Sequence, residues 1–294
     1  MNKLRVAILG SGNIGTDLLI KVQRSQYLNC VLFVGRNLSS PGMAKAINLG
    51  IKVSDESIYG IIKNADAIDL VFDATSAKDA KDHWEIIEKL GKIVIDMTPA
   101  KLGALCIPAV NLEEIIKERN INMITCGGQA SIPIAYAIGK SQKNIQYIEV
   151  VSSIASRSAG PATRLNLDEY VDTTEQGIKL FSKVPNSKAI LNLNPAEPCI
   201  NMQTTIFALV ENPDMEKINQ EINEILIKIQ SYVPGYTLLV PPIYENGRIV
   251  IMVKVQGLGD YLPKYAGNLD IINCAAIAVA EKFSKIQNNI NLND

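Results

Sequence analysis

One cysteine is followed at once by two glycines: residues 123–131 read MITCGGQAS, with Cys126, Gly127 and Gly128 at the centre. The short apolar run 122–124 reads as the end of a strand, and 132–139 as a helix that tolerates Pro133 near its first turn. Cys126 is then expected at a tight strand-to-helix junction. Unpaired N–H groups and the positive end of the helix dipole favour a thiolate there. The glycines leave backbone N–H groups open beside the sulfur, where an oxyanion can sit. That chemistry is nucleophilic attack on a carbonyl carbon. The competing reading is a small apolar residue buried at a turn.

A second constellation opens the chain. Leu4–Leu9 (LRVAIL) has the length and composition of a buried parallel strand. It runs into Gly10-Ser11-Gly12-Asn13-Ile14-Gly15, a GxGxxG pattern leading to an expected helix over 14–25. The first glycine permits the tight turn, the second lets a pyrophosphate approach the backbone, and the third lets helix and strand pack closely. The phosphates of a dinucleotide would rest on the helix N-terminus. The next expected strand, 30–34, ends at Gly35-Arg36-Asn37, with no acidic residue for the ribose hydroxyls of NAD. Arg36 could instead pair with the 2′-phosphate of NADP, or simply be a solvated loop residue. A nicotinamide dinucleotide is expected, NAD or NADP, with a slight lean to NADP. Expected strands at 70–73 and 93–96 carry loops at their C-terminal ends, where ligands bind in such sheets, and Thr75 is a candidate cofactor contact.

These residues need a scaffold able to hold them. The chain has 294 residues, enough for two domains, and its 47% hydrophobic and 20% charged content is that of a globular protein. A net charge of -1 gives no electrostatic footprint for nucleic acid or an anionic membrane as partner. No apolar run reaches transmembrane length, and residues 1–5 lead directly into a strand, so no signal peptide is expected. Cys30, Cys106, Cys126, Cys199 and Cys274 are odd in number and scattered without metal-ligand spacing. No metal is expected, and a reducing, cytoplasmic location is. The single histidine, His83, falls in the charged pattern 78–90, expected to be an exposed helix. Cys–His or Ser–His–Asp catalysis would have to use it, and a structural role is the expectation.

Alternating strands and helices up to Cys126 indicate a doubly wound parallel sheet, which would place Cys126 at the same edge as the glycine loop. Beyond it come longer β-rich runs at 146–154, 188–193, 199–210, 237–240 and 249–255, with helices expected at 166–181 and 213–232. Asn166 and Glu169 are spaced as a capping box. The stretch 152–165, SSIASRSAGPATRL, is expected as a long functional loop. A last helix, 268–286, starts at Asn268 and carries an apolar face. The fold class expected is α/β: a Rossmann-type doubly wound parallel sheet plus an α+β catalytic and dimerisation domain. The dinucleotide-binding domain would take 1–126 with 266–294, the second domain 127–265. An open sheet face in the second domain calls for a homodimer.

Assembled, the chain resembles the acylating acetaldehyde dehydrogenases that work beside 4-hydroxy-2-oxovalerate aldolase. The blocks are VAILGSGNIGTDLLIKV (6–22), VFDATSA (71–77), PAVNLEE (108–114), NMITCGGQASIP (122–133), SAGPATRLNLDEY (158–170), NPAEP (194–198), YVPGY (232–236) and YLPKYAGNLDI (261–271). The resemblance implies an oxidoreductase interconverting a short-chain aldehyde and its acyl-CoA thioester. Cys126 would carry the acyl group, with coenzyme A as co-substrate. It implies cofactor contacts from Ser11, Gly12, Asn13 and Ile14. Further contacts are implied along Ser158, Ala159, Gly160, Pro161, Ala162, Thr163, Arg164, Leu165 and Asn166, and from Asn268. It also implies an aldolase partner. The chain departs from the family at Arg36-Asn37, where an acidic residue is implied, and at Thr204, where an aspartate assisting the cysteine is implied. It is also shorter over 235–259. The alternatives are a related reductase using another acyl donor, or a non-catalytic dinucleotide-binding redox sensor whose Cys126 is oxidised.

Overall fold

The structure, a computed structural model, describes residues 2–290, with the backbone alone for 161, 162, 289 and 290. The outermost ends of the expected domains, at 1 and 291–294, and the side chains of Pro161 and Ala162 lie outside the described residues. The chain forms two compact units. One holds residues up to 106, 112–123 and the chain from 273 onward; the other holds 107–111 and 124–272.

The first part of the chain runs β1 (Leu4–Leu9), α1 (Asn13–Arg24), β2 (Leu28–Val34), α2 (Pro41–Asn48), β3 (Val53–Ser54) and α3 (Ile58–Lys63). It continues through β4 (Leu70–Asp73), α4 (Ala77–Lys89), β5 (Ile93–Asp96), β6 (Ala104–Leu105), α5 (Pro108–Ile115) and β7 (Asn120–Asn122). The seven strands form one sheet in the order β3-β2-β1-β4-β5-β7-β6. Every pairing in it is parallel. Val6, Ala7, Ile8, Phe33, Val34, Val71 and Phe72 are wholly buried, as expected of strands covered on both faces. The order reverses between β1 and β4, so the loops after these two strands flank the crevice where such sheets take ligands. Ser40 caps α2 and Pro41 is its first residue, the Ser40 hydroxyl accepting the Met43 N–H.

The second part runs α6 (Cys126–Ser141), β8 (Ile145–Ala155), α7 (Pro161–Leu165), α8 (Leu167–Ser182), β9 (Asn186–Asn194) and β10 (Met202–Val210). It ends with α9 (Met215–Gln230), β11 (Tyr236–Glu245), β12 (Arg248–Val255) and α10 (Gly267–Ile290). The sheet order is β11-β12-β10-β8-β9, antiparallel except for β8 with β9. Alternation sorts the strands: Ile148, Val150, Ser152 and Ile154 of β8, with Thr204, Ile206 and Ala208 of β10, point into the core. Helix α6 lies on β8, β10 and β12, flanked by α8 and α9. Among the described residues no helix is long and apolar enough to cross a membrane.

Several expectations change. The supposed loop 152–165 is largely regular: β8 runs through Ala155, a 3-10 turn follows at Ser156–Ser158, and α7 closes it. Arg164 holds this segment by donating to the Ala159 carbonyl at 3.0 Å and to Ser156 Oγ at 2.9 Å. Asn166 stands at the N-cap of α8, but its side chain makes no capping bond, so the capping box does not form. Helix α9 starts two residues later than the expected 213, with Asp214 as its cap, accepting the Lys217 N–H at 3.0 Å.

His83 is buried, not exposed, on the inner side of α4. Its Nδ1 lies 2.8 Å from Asp73 Oδ2, at the end of β4. Burial works against a charged imidazole, but the hydrogen bond and charge of Asp73, with Asp79 and Asp82 beyond, outweigh it and raise the His83 pKa. A group raised in the folded state contributes stability fully below its unfolded value, about 6.5 for histidine, and loses that contribution as pH rises through the folded value. His83→Asn should therefore lower the urea midpoint more at about pH 5.5 than at about pH 9. An equal loss at both would show that the pair is not an ion pair.

Candidate active site

The junction at Cys126 is tighter than the sequence suggests. Strand β7 stops at Asn122, and α6 begins at Cys126 itself, not at Ile132. Thr125 is its N-cap and accepts the Gly128 N–H at 2.8 Å. Pro133 therefore lies inside the helix. Two glycines in a first turn disfavour helix by propensity alone, and that weighs towards the later start. Packing overrides it: a Cβ on Gly127 would stand 2.0 Å from Tyr170 Oη and 3.1 Å from Ser152 Oγ. Only glycine lets the helix start come so close to α8 and β8. Just before it, Ile124 is held at φ +63°, a left-handed conformation that costs a β-branched residue about 1–3 kcal/mol.

Helix α8 faces this start with a stripe of polar side chains. Tyr170, Thr173, Thr174 and Gly177 are spaced for one helix face, and the first three are buried. The Thr174 hydroxyl donates to the Tyr170 carbonyl at 2.7 Å, so the 2.7 Å contact with Thr125 Oγ1 must carry the Thr125 hydrogen. Gly128, Thr125, Thr174 and Tyr170 thus form one directed chain that clamps α6 to α8. Cys126 Sγ lies 3.9 Å from Tyr170 Oη, and Ser152 hydrogen-bonds the same phenol. Ser152 Oγ in turn is 2.9 Å from Thr204 Oγ1, at a fully buried Thr204.

The expected thiolate is not what this environment favours. Burial pushes the Cys126 thiol up to about 11, more than the Tyr170 hydroxyl and the N–H groups of Gly127 and Cys126 bring it down. The helix end is present, but the sulfur is too dry for it to prevail. Burial also raises the Tyr170 phenol well above its ordinary value, so it keeps its proton.

The glycine loop has the form the sequence predicts. Gly10 sits at φ +122°, and a Cβ there would strike the Ala74 carbonyl at 2.4 Å, so the loops after β1 and β4 touch. Gly12, the N-cap of α1, makes no side-chain cap, and a Cβ on it would meet nothing within 4 Å. Asn13, Ile14 and Gly15 form the first turn of α1, and Ser11 Oγ lies 3.3 Å from Ser40 Oγ. An uncapped helix start with open backbone in front of it fits a pyrophosphate. Thr75 spends its hydroxyl on Asp73 Oδ1 at 2.5 Å, fixing the turn after β4. Arg36 is exposed. In the other unit, Asn268 is buried near the start of α10 with neither Oδ1 nor Nδ2 partnered. A free donor and acceptor on one carboxamide match those of another, as on nicotinamide.

Residues 5–118 match the family described as semialdehyde dehydrogenase, NAD binding domain. Residues 126–263 match prokaryotic acetaldehyde dehydrogenase, dimerisation. An acetaldehyde dehydrogenase of Spirochaeta aurantia is 62% identical over 282 residues, spanning 96% of this chain and 95% of its own. The chain belongs to the acetaldehyde dehydrogenase family. A second relative so named, from Pectobacterium atrosepticum, is 57% identical over 287 residues, spanning 97% of each chain. Solved structures with the same fold include aspartate semialdehyde dehydrogenase II of Vibrio cholerae, in complex with ASA. Its TM-score is 0.61 at 13% identity, over 97% of this chain and 99% of that one. Aspartate semialdehyde dehydrogenase of Candida albicans, with NADP, has a TM-score of 0.64 at 12% identity, over 95% and 100%.

For a member of the acetaldehyde dehydrogenase family, the raised thiol of Cys126 has a direct consequence. Below about pH 10 its thiolate fraction climbs roughly tenfold per pH unit. Alkylation of Cys126 by iodoacetamide, followed on its own peptide by mass spectrometry, should rise with that slope and show no plateau near neutrality. A plateau by about pH 8 would mean the sulfur is far better solvated or paired than its surroundings indicate.

Proposed function

We propose that the protein is an acylating aldehyde dehydrogenase that interconverts a short-chain aldehyde, such as acetaldehyde, and its coenzyme A thioester through Cys126. The observation that carries this reading is the sulfur at the first position of α6, facing backbone N–H groups and the Tyr170 hydroxyl. Once ionised, Cys126 adds to the aldehyde carbon, forming a C–S bond as the carbonyl π pair moves onto oxygen. The N–H groups of the first turn of α6 are suited to hold that oxyanion. A nicotinamide dinucleotide supplies the hydride acceptor or donor for this family's chemistry. Cys126 then holds the acyl group as a thioester, which the thiol of coenzyme A attacks, returning the cysteine sulfur. Each of these steps is reversible.

Gly10 to Gly15 would take the pyrophosphate of the cofactor, with Thr75 as a further contact. Cofactor contacts from Ser158 to Asn166 and from Asn268 are what the family resemblance implies. Support comes from the open backbone at Gly12 and the unpartnered carboxamide of Asn268. The homodimer reading draws on the dimerisation family matched at 126–263 and on one sheet face. There Val151, Phe207, Leu209, Val250 and Met252 stay partly exposed on the side away from the helices. Five free cysteines suit a cytoplasmic setting.

Incubation with acetyl-CoA should add one acetyl group to Cys126. Cys126→Ala should bind cofactor yet lose turnover, while Cys106→Ala should keep it. Turnover retained in Cys126→Ala would end the covalent mechanism, whereas a wild type that neither acetylates nor turns over would favour the redox-sensor reading.

Cofactor choice follows from Arg36, which is exposed after β2 where an acidic residue would favour NAD. A charge-assisted bond to a 2′-phosphate contributes about 1.5–3 kcal/mol, reduced by exposure, so roughly a tenfold preference for NADP is expected, with NAD still used. In Arg36→Ala the kcat/KM ratio should fall towards NAD. A wild type that prefers NAD, with the ratio unmoved in Arg36→Ala, would make Arg36 a solvated loop residue.

A further inference from the structure

The hydroxyl groups behind Cys126 form a line that the covalent mechanism has not yet used. Tyr170 Oη stands 3.9 Å from Sγ, and Ser152 Oγ stands 2.9 Å from Thr204 Oγ1. All four residues are buried, and they come from α6, α8, β8 and β10. The Gly127 Cα packs against both Tyr170 Oη and Ser152 Oγ, so the middle of the line is fixed by the helix start.

A phenol has two acceptor lone pairs and one hydrogen. The ionised sulfur of Cys126 carries no hydrogen, so across the 3.9 Å contact the phenol is the donor. With the phenol hydrogen directed at the sulfur, its oxygen is left to accept from Ser152, the hydroxyl hydrogen-bonded to it. Ser152 has one hydrogen, already directed at Tyr170, so its 2.9 Å contact with Thr204 takes the Thr204 hydrogen. The donors therefore run one way: Thr204 to Ser152, Ser152 to Tyr170, Tyr170 to Cys126.

We propose that Tyr170 is a further catalytic residue, donating its hydroxyl hydrogen to the ionised sulfur of Cys126, and that Ser152 and Thr204 are positioning residues acting through it. The proposal deepens the reading of Cys126 as the nucleophile and rests on it. No proton leaves Tyr170: it remains a phenol throughout and stabilises negative charge as a donor. Each hydroxyl in the line polarises the next, so the far end at Thr204 is felt at the sulfur. Thr204 supplies a hydrogen and lacks a carboxylate, which suits this direction. A carboxylate in its place could only accept, and would turn the Ser152 hydrogen away from the phenol.

The test is the alkylation rate of Cys126 by iodoacetamide, read on its peptide at about pH 8, where the rate tracks the thiolate fraction. Tyr170→Phe should slow it about tenfold, equivalent to one pH unit in the thiol. Thr204→Val, which keeps the side-chain shape, should slow it less, and Thr204→Ser should restore it. The double variant Tyr170→Phe/Thr204→Val should be no slower than Tyr170→Phe, because Thr204 acts only through the phenol. A wild-type rate in folded Tyr170→Phe overturns the proposal, and so does a further loss in the double variant. If Tyr170→Phe does not fold, an unchanged rate in Thr204→Val overturns it equally. Acetylation of wild-type Cys126 by acetyl-CoA is read separately. Acetylation with no change in the variants sinks the role of Tyr170 and leaves the covalent mechanism standing. Slowed alkylation in the variants without acetylation of the wild type does the reverse.

Discussion

The structure around the cysteine depends on one close approach. The start of α6 is pressed against Tyr170 and Ser152 so tightly that no side-chain atom fits on Gly127. From that contact follow the depth of Cys126, the direction of the hydroxyl line and the clamp from Thr125 through Thr174 to α8. The turn that delivers the chain to this point is paid for locally. Ile124 holds a left-handed conformation unfavourable for its branched side chain, yet it is wholly buried, beside Gly128 and Gly177. Two glycines receive an isoleucine, and the burial offsets the backbone strain.

The parallel sheet was legible in the sequence because its signals are local. The strands β1, β2, β4 and β5 are short and largely apolar runs, and the glycine pattern sits directly between β1 and α1, so nothing distant had to be known. The place of Cys126 at a strand-to-helix junction was legible for the same reason, through the residues beside it. Its partners were not. Tyr170 comes 44 residues later and Thr204 another 34, counted along the chain, and only the packing of α6 on α8 and β10 brings them near. The signal that existed was the stripe Tyr170, Thr173, Thr174 and Gly177, a helix face built from hydroxyls where aliphatic residues are usual. His83 was misplaced by a similar cause. Its helix is rich in charge, and the one carboxylate that draws the imidazole inward, Asp73, belongs to the preceding strand.

The start of α6 was misread because propensity and packing oppose each other there. Cys-Gly-Gly is a poor first turn for an isolated helix, so a sequence reading delays the helix to Ile132. In the folded chain the same glycines allow the contact with Tyr170 and Ser152 that makes an early start worthwhile. Local preference is overruled where the backbone must come unusually close to something else, and that place coincides here with the Cys126 sulfur.

Burial at that atom has two opposed effects. It excludes water, which strengthens every dipole aimed at a developing charge, and it penalises the thiolate that must form first. The second effect prevails in the free protein, where the thiol is pushed up to about 11. The N–H groups at the helix N-terminus offset only part of that cost. What remains must come from donors set in advance, because in a dry site a group that has to reorient costs more than one already in place. Tyr170 of α8 and the N–H groups of the first turn of α6 stand at the sulfur as such donors, and Ser152 of β8 with Thr204 of β10 lie behind the phenol. A cysteine on the surface would ionise more readily, but it would have no rigid neighbours to stabilise the oxygen that becomes charged next.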